Sequence, residues 1–332
     1  MLSRGVRWVI ATSGVALYVL VYLNAGRLLP AAIFRDAQKI QEQMDGAQTY
    51  AGSSFDAVGR LFLSFGAGVD ALVLGAGIWL IWSMAMRADR VGLLIPALAL
   101  TAPCVFFNLF VAGKDTLVVL MSLMVAASAS RGNAVARTWI LTAVLYLAYA
   151  ATLRTYFALI LGMAMVFYLL ICVGCRWRIV VIASAIWAMA CLPPVVFFAL
   201  QYPRDLAVDY LMFQSPYGAR TGFYNPFRPD SLSAFAANYL YAACRLNFAV
   251  LWIPGAKELA MQCWVLVAAW PPAVQVVCAM RYRARGVRSL PACLVLAHVV
   301  VSMLFEPDLG SYMRHLSSVA ALSMLLLKSD RA

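Results

Sequence analysis

The chain has 332 residues, of which 64% are hydrophobic and 12% are charged, and its mean hydropathy is +0.84. A soluble domain carries about 25% charged and about 45–50% apolar residues, so this chain has too little polar surface to cover a water-soluble globule. These values exclude a cytosolic enzyme, a disordered tail and a small disulfide scaffold. Because lipid cannot satisfy open backbone groups, the composition predicts an all-α, polytopic integral membrane helical bundle.

Apolar segments of crossing length, or slightly shorter, recur along the chain. A helix needs roughly 20 residues to cross the hydrocarbon core. We predict about 10 transmembrane helices and treat residues 1–332 as a single integral membrane domain. The first segment follows Arg4 and Arg7 and lacks a small-residue cleavage site, so we interpret it as a retained anchor. The predicted spans are 8–26, 61–86, 91–111, 116–130, 138–153, 155–173, 179–200, 259–280, 289–305 and 315–327.

Basic residues in the short loops predict the orientation, because Lys and Arg prefer the cytoplasmic side. With the N-terminus inside, the C-terminus is also cytoplasmic, and Asp89 and Asp330 are the acids on that side. The net charge of +12 is therefore interpreted mainly as a topology signal, and no nucleic-acid partner is expected. The basic residues assigned to the cytoplasmic side are Arg4, Arg7, Arg87, Arg90, Arg131, Arg137, Arg176, Arg178, Arg281, Arg283, Arg285, Arg288, Lys328 and Arg331.

Two longer segments on the opposite side are chemically mixed. Residues 27–60 form the first external loop, in which 31–44 has apolar side chains at helical spacing and is predicted to lie on the membrane surface. Residues 201–258 form the large external loop. Its apolar stretch 232–253 is interpreted as an interfacial or re-entrant helix, since one more span would move Arg281 and the arginines after it outside.

The large external loop interleaves aromatic residues with arginines. Rings cover the apolar faces of sugars, and a guanidinium pairs in bidentate fashion with phosphate oxygens. Arg220, Tyr224 and Arg228 are therefore candidate substrate-binding residues. An interfacial aromatic belt is the alternative interpretation of the rings.

Three short external turns between predicted spans carry ionisable groups. Such groups are costly at membrane depth and commonly face a cavity or one another. We expect them to converge if the outer helix ends surround one vestibule. The alternative for Lys114 and Arg154 is that their side chains extend to lipid headgroups. The residues of the three turns are Lys114, Asp115, Arg154, Tyr156, Glu306, Asp308, Arg314 and His315.

The remaining polar features support weaker expectations. Asp70 is predicted to lie deep within the span 61–86, where it must be neutral or paired. Cys172 and Cys175 have CxxC spacing without a second pair or a histidine partner, so no zinc site is predicted. Glu306 and Asp308 could supply oxygen ligands to a divalent cation, but no other sign of a metal site is present.

Four external stretches together resemble a known family. They are 34–40 (FRDAQKI), 113–115 (GKD), 153–157 (LRTYF) and 308–315 (DLGSYMRH). In these residues, and in its polytopic layout, the chain resembles the bacterial polysaccharide repeat-unit polymerases of the Wzy-type and EpsG-like group, which are GT-C-like membrane glycosyltransferases.

The resemblance implies polymerisation of undecaprenyl-diphosphate-linked oligosaccharide repeat units at the external face of the bacterial inner membrane, in exopolysaccharide, capsule or O-antigen synthesis. The energy lies in the phosphosugar bond, so no cofactor is required. The implied partners are the lipid-linked oligosaccharide, membrane lipids, and the flippase and chain-length regulator of the same pathway.

The transfer needs cations to stabilise the leaving diphosphate and a base for the acceptor hydroxyl. If the resemblance holds, the cation candidates are Lys114, Arg154 and Arg314. The candidates for the base are Asp36, Glu306 and Asp308, with His315 behind them.

Three alternatives use other chemistry. A GT-C glycosyltransferase with a polyprenyl-phosphate sugar donor would use the same cavity, with Asp36 as its acidic residue. A lipid-linked oligosaccharide flippase or transporter would carry charges through the membrane midplane. An acyltransferase that decorates the glycan would depend on a histidine.

Overall fold

The computed structural model describes residues 2–47, 49–132, 134–215, 218–283, 286–287 and 289–327. Within these ranges the chain is helical and contains no strand. The α-helices are α1 (Arg4–Leu23), α2 (Ala25–Leu28), α3 (Arg35–Met44), α4 (Ser54–Phe65), α5 (Gly68–Arg87), α6 (Val91–Asn108), α7 (Lys114–Ser130), α8 (Val135–Thr152), α9 (Phe157–Cys172), α10 (Cys175–Ala190), α11 (Pro194–Asp209), α12 (Leu232–Asn247), α13 (Ala256–Tyr282), α14 (Ser289–Phe305), α15 (Leu309–Ser317) and α16 (Ala320–Leu326).

The chain forms two compact units. Unit 1 comprises Met1–Leu161 and Ser317–Ala332, and unit 2 comprises Gly162–Leu316. Several cytoplasmic residues assigned from the sequence, among them Arg285, Arg288 and Lys328, lie outside the described residues.

The prediction of a membrane bundle is confirmed in its coarser form. Within the described ranges, five helices are long and apolar enough to cross a membrane, namely α1, α5, α6, α8 and α13. The pair α10 and α11 would make a sixth, although the two are bent by 91° at their junction. Many apolar side chains of these helices are exposed, including Val9, Leu17 and Ile140, each at 64%. Lipid is the environment that suits such surfaces.

The core of unit 1 is α7, which is buried on most of its faces and packs against α5, α6, α8 and α16. The neighbouring pair α1 and α5 approach closely because a glycine lies at their contact. A Cβ atom at Gly77 would overlap the ring of Tyr18, whose hydroxyl donates to the Leu109 carbonyl at 2.6 Å. Small residues allow this kind of backbone approach between apolar helices.

The predicted span 61–86 is wrong as a single helix. The chain breaks at Gly66, whose φ of +52° suits glycine, so α4 ends at Phe65 and α5 begins at Gly68. Asp70 therefore lies in the first turn of α5 and is exposed, where the helix dipole favours a negative charge. The expectation of a deeply placed Asp70 assumed an unbroken helix. Its carboxylate accepts a hydrogen bond from the Tyr22 hydroxyl at 3.3 Å.

Two other predicted spans are interrupted. The segment 179–200 contains the break between α10 and α11, where Pro193 and Pro194 end one helix and begin the next. The segment 315–327 is divided between the end of α15 and the seven-residue α16. The stretch 232–253 contains α12, which has 16 residues and begins at the cap that Ser231 provides to the Ala234 amide.

Unit 2 is organised around α14, the helix with the most buried positions in this unit. It packs against α11, α12 and α13. In contrast, α10 has no buried residue within the described chain. The C-terminal end of α14 at Phe305 leads directly to Glu306.

Candidate functional site

The segment predicted as the first external loop and two of the predicted charged turns meet in unit 1. Ile40 of α3 and Val58 and Phe62 of α4 form a buried apolar cluster. Leu117 of α7 and Leu153, next to Arg154, pack against it. A single apolar cluster therefore holds α3, the start of α7 and the turn after α8 together.

Gly59 explains how α3 and α4 come so close. A Cβ atom at this position would lie 3.2 Å from the Gln43 Cβ and 3.4 Å from the Ile40 carbonyl oxygen. This approach buries the face of α3 that carries Lys39 and Ile40.

Two buried lysines face the same aromatic ring. The Lys114 Nζ lies 3.4 Å from the Phe55 ring centroid, and the Lys39 Nζ lies 4.9 Å from it. Because both distances are measured to the same centroid, the Lys114 Nζ and the Lys39 Nζ cannot be farther apart than the sum of the two. Lys114 also donates to the Ser54 hydroxyl at 3.1 Å. Cation–π contacts with Phe55 help to hold both ammonium groups in place.

Asp115, the residue after Lys114, forms a largely buried ion pair with Arg154. The Arg154 Nη1 is 3.0 Å from the Asp115 Oδ1 and 3.0 Å from the Tyr156 hydroxyl. The two charged side chains are 11% and 9% exposed. The structure therefore brings together Lys114, Asp115, Arg154 and Tyr156, all of which were selected from sequence.

Asp36 lies on the same helix as Lys39, three residues earlier. It is partly buried in the first turn of α3. Residues three apart lie on the same helix face, so Asp36 and Lys39 lie on the same face of α3. We call Lys39, Lys114, Asp115, Arg154 and Tyr156 the basic cluster.

A cavity of about 670 Å³ adjoins the apolar side of this region. Ile40 and Phe62 of the buried apolar cluster line it, together with Met44 and Ala112. Asp70 lines the same cavity, as does its hydrogen-bond partner Tyr22. A predominantly apolar cavity with a few polar groups is typical of a ligand site.

Unit 2 contains a carboxylate–imidazole pair. The His315 Nδ1 is hydrogen-bonded to the Glu306 Oε1, and their side chains are 15% and 5% exposed. A carboxylate bound at one ring nitrogen fixes the orientation and tautomer of an imidazole. This is the arrangement that prepares a histidine to act as a general base through its other nitrogen.

Arg204 holds the backbone that carries Glu306. Its guanidinium is fully buried and donates to the carbonyls of Met303 and Glu306, the latter at 3.2 Å from Nε. Its Nη1 donates to the Asn225 side chain at 2.8 Å. These carbonyls lie at the C-terminal end of α14, where a cation is favourable. Arg204 therefore fixes the position from which Glu306 reaches His315.

Asp308 is the N-cap of α15. Its Oδ1 accepts from the amides of Gly310 at 2.7 Å and Ser311 at 3.1 Å. Its Oδ2 accepts from the Ser311 hydroxyl at 2.9 Å. Both carboxylate oxygens thus complete the first turn of a helix, a structural task that N-cap residues commonly perform.

A buried hydroxyl lies near the pair. Tyr312 of α15 is fully buried, and its hydroxyl has no hydrogen-bond partner among the described residues. Burial raises the pKa of Tyr312 above its ordinary range. Arg314 is partly buried in the last turn of the same helix, directly before His315.

The remaining sequence-selected residues lie at the surface of unit 2. Arg220 donates to the Pro254 carbonyl at 3.2 Å and pairs with buried Glu258 at 3.5 Å. Tyr224 donates to the Asp209 Oδ1 at 2.9 Å, and this hydrogen bond raises the pKa of Tyr224. Arg228 is exposed.

Sequence reasoning missed Lys39, Phe55 and Arg204 as members of these arrangements. Lys39 lies in the stretch 34–40 that carries the resemblance, and Phe55 lies in the same predicted external loop. Neither was selected as a site residue, because no spacing in the sequence links them to Lys114. Arg204 was one of several arginines in an aromatic-rich segment. The only available signal was that it precedes an acid and lies in an apolar helix, where a charge is costly.

No group of three or more His, Cys, Asp and Glu side chains able to hold a metal ion occurs among the described residues. No protein-family model, curated protein or solved structure matches this chain. The functional assignment therefore depends on the chemistry of the two sites.

Proposed function

We propose that this protein is a membrane glycosyltransferase that polymerises undecaprenyl-diphosphate-linked oligosaccharide repeat units. In this proposal it resides in the bacterial inner membrane with about 10 spans and both termini in the cytoplasm. The reacting groups lie at the external face. No nucleotide cofactor takes part, because the phosphosugar bond supplies the energy.

The observation that carries the proposal is the basic cluster and its position next to an apolar cavity. Three cations, Lys39, Lys114 and Arg154, are associated with one apolar packing cluster whose residues Ile40 and Phe62 also line the cavity. A lipid diphosphate has the same two parts, an anionic head and an apolar chain. Cations placed where charge develops on a leaving diphosphate stabilise the transition state.

Phe55 contributes to this chemistry by its position. Its ring contacts the Lys114 and Lys39 ammonium groups and so restricts where they lie. The guanidinium of Arg154 is paired with the Asp115 carboxylate. We assign the main electrostatic role to Lys114 and a positioning role to the Asp115–Arg154 pair.

Two groups are candidates for the base that activates the acceptor hydroxyl. Asp36 is in α3 of unit 1, and His315 is oriented by Glu306 in unit 2. Asp36 belongs to the same unit as Lys114, so we assign it as the base that serves the basic cluster.

The first experiment deletes the gene and analyses lipid-linked intermediates by mass spectrometry. A polymerase predicts that complete single repeats accumulate on the lipid and that long polymer disappears. Truncated repeats would instead show a GT-C transferase that adds one sugar from a polyprenyl phosphate.

The second experiment complements the deletion with variants of the basic cluster. Lys114→Met keeps an apolar stem and removes the charge, and we expect polymer synthesis to fall by about 10²–10³-fold. Arg60→Gln is the matched control, because Arg60 is a 71% exposed cation of the same unit. Wild-type chain length from a well-expressed Lys114→Met protein would refute the proposal.

A further inference from the structure

Arg245 lies in the last turn of α12, surrounded by aromatic rings. Its guanidinium carbon is 5.5 Å from the Phe223 ring centroid, 5.9 Å from that of Tyr241 and 5.5 Å from that of Trp252. These distances are within the range of cation–π attraction. We call the three rings the Arg245 cage.

Phe223 of this cage also contacts Arg204, whose guanidinium carbon is 5.0 Å from the ring centroid. Arg204 is fully buried, and carbonyl and amide oxygens satisfy its donors. The ring of Phe223 thus has a structural arginine as one neighbour and Arg245 as another. The backbone of Phe223 is fixed as well, because its amide donates to the Pro307 carbonyl at 3.2 Å.

Arg245 differs from Arg204 in its polar contacts. It is partly exposed, and it forms no hydrogen bond or ion pair with any residue that the structure describes. An arginine carries five N–H donors in a fixed planar arrangement. The cage therefore orients the guanidinium, and no carboxylate among the described residues accepts a hydrogen bond from its N–H groups.

This arrangement suits an oxyanion. A guanidinium that is stacked on rings can still offer two parallel N–H groups to phosphate oxygens, which is the geometry of bidentate phosphate recognition. Because the rings already restrict the side chain, less conformational freedom is lost when an anion binds. Large apolar side chains that follow Arg245 in the chain are exposed, namely Phe248 at 46%, Leu251 at 75% and Trp252 at 43%. Because such a surface suits a lipid environment, we expect the phosphate that Arg245 meets to be one carried by a lipid.

We infer that Arg245 and its aromatic cage form a binding site for the phosphate group of a lipid. Two sources offer this chemistry, namely the diphosphate of an isoprenoid carrier and the headgroup of an anionic phospholipid. The site does not depend on the proposed glycan transfer, since it requires only lipid phosphate. The experiment below distinguishes the sources.

The test uses the full-length protein in nanodiscs and measures binding directly. One arm titrates farnesyl diphosphate into phosphatidylcholine nanodiscs and measures bound probe by equilibrium dialysis. The other arm uses mixed phosphatidylcholine and phosphatidylglycerol nanodiscs and measures retained phosphatidylglycerol by native mass spectrometry. Neither arm involves a saccharide, so its result is separate from the fate of the proposed polymerase.

Arg245→Gln is the main variant, and Lys257→Gln is the control, since Lys257 is an exposed cation of the same unit. We expect Arg245→Gln to weaken binding of one probe by about 10- to 100-fold, as loss of a charged bidentate contact requires. Arg245→Lys should be intermediate because an ammonium lacks the planar pair of donors. Lys257→Gln should bind as wild type.

Each outcome decides the question. If Arg245→Gln weakens binding of farnesyl diphosphate alone, the lipid phosphate is that of the isoprenoid carrier. If it weakens binding of phosphatidylglycerol alone, the lipid phosphate is that of a phospholipid headgroup. Unchanged binding of both probes by Arg245→Gln overturns the inference, as does a wild-type protein that binds neither. If Arg245→Gln does not fold, Trp252→Leu replaces it, because removal of a 43% exposed cage wall should weaken the same binding.

Discussion

The Asp115–Arg154 ion pair leads to the most quantitative prediction for unit 1. Both side chains are about nine-tenths buried, and the charged atoms are 3.0 Å apart. At an effective dielectric constant of about 20, two unit charges at this separation attract by about 5 kcal/mol. Removal of one partner leaves the other charge buried, which typically costs about 3–5 kcal/mol of folding free energy.

A double-mutant cycle isolates this interaction. The single variants Arg154→Ala and Asp115→Ala should each lower the free energy of unfolding by about 3 kcal/mol or more. The double variant should be much less destabilised than the sum of the singles, because neither member of the ion pair then remains buried without the other. We expect a coupling energy of about 2–3 kcal/mol, near the upper end for residues in contact.

The same unit provides a matched control pair. Arg60 and Asp56 are 2.7 Å apart on one helix, but Arg60 is 71% exposed. Exposed pairs at this spacing contribute about 0.3–0.5 kcal/mol. The assay is reversible unfolding in mixed micelles with increasing SDS, followed by tryptophan fluorescence. A coupling energy for Asp115–Arg154 no larger than that of the control pair would refute the reasoning from burial.

Three further predictions concern single positions. Asp308→Ala should lower the free energy of unfolding by about 1 kcal/mol, because it removes the cap of α15. Asp308→Ser should recover most of that free energy, and polymer synthesis should persist in both variants. Complete loss of polymer in both variants would instead assign Asp308 a chemical role. Gly77→Ala should lower the free energy of unfolding by about 1–3 kcal/mol, because the added Cβ would overlap the Tyr18 ring. Gly75→Ala on the same helix is the control: a Cβ there meets open space, so the variant should be as stable as wild type or more stable. Unfolding in detergent measures both. Tyr312→Phe should leave stability unchanged or raise it by about 1 kcal/mol, since it removes a buried hydroxyl without a partner among the described residues. A clear loss of stability in Tyr312→Phe would show that the hydroxyl has a bound partner.

The local elements were accessible from sequence. Apolar spacing in 31–44 predicted the helix that the structure shows as α3, and the apolar stretch 232–253 predicted a helix where the structure shows α12. These features depend on residues within a few positions of one another, where helical spacing acts. The high apolar content likewise predicted a helical chain suited to a membrane. The exclusion of a small disulfide scaffold agrees with the structure, in which all eight cysteines are free thiols.

The breaks within apolar segments were not predicted. Gly66 interrupts 61–86 and places Asp70 at a helix start, although nothing in its apolar neighbours marks it as different from Gly75. Glycine is tolerated within apolar helices when neighbours provide packing, so a glycine alone does not determine where such a helix ends.

The sequence by itself determined that this protein is a helical chain with apolar helices suited to a membrane, and it selected Lys114, Asp115, Arg154 and Tyr156. Only the tertiary structure placed Lys39 and Phe55 beside Lys114, and joined Arg204 to the end of the helix that leads to Glu306 and His315. The physical reason is that a helix surrounded by lipid is apolar on every face, so its sequence pattern does not mark the face that packs against protein. Packing of small residues and burial of a few polar groups decide that face, and both depend on partners distant in the chain.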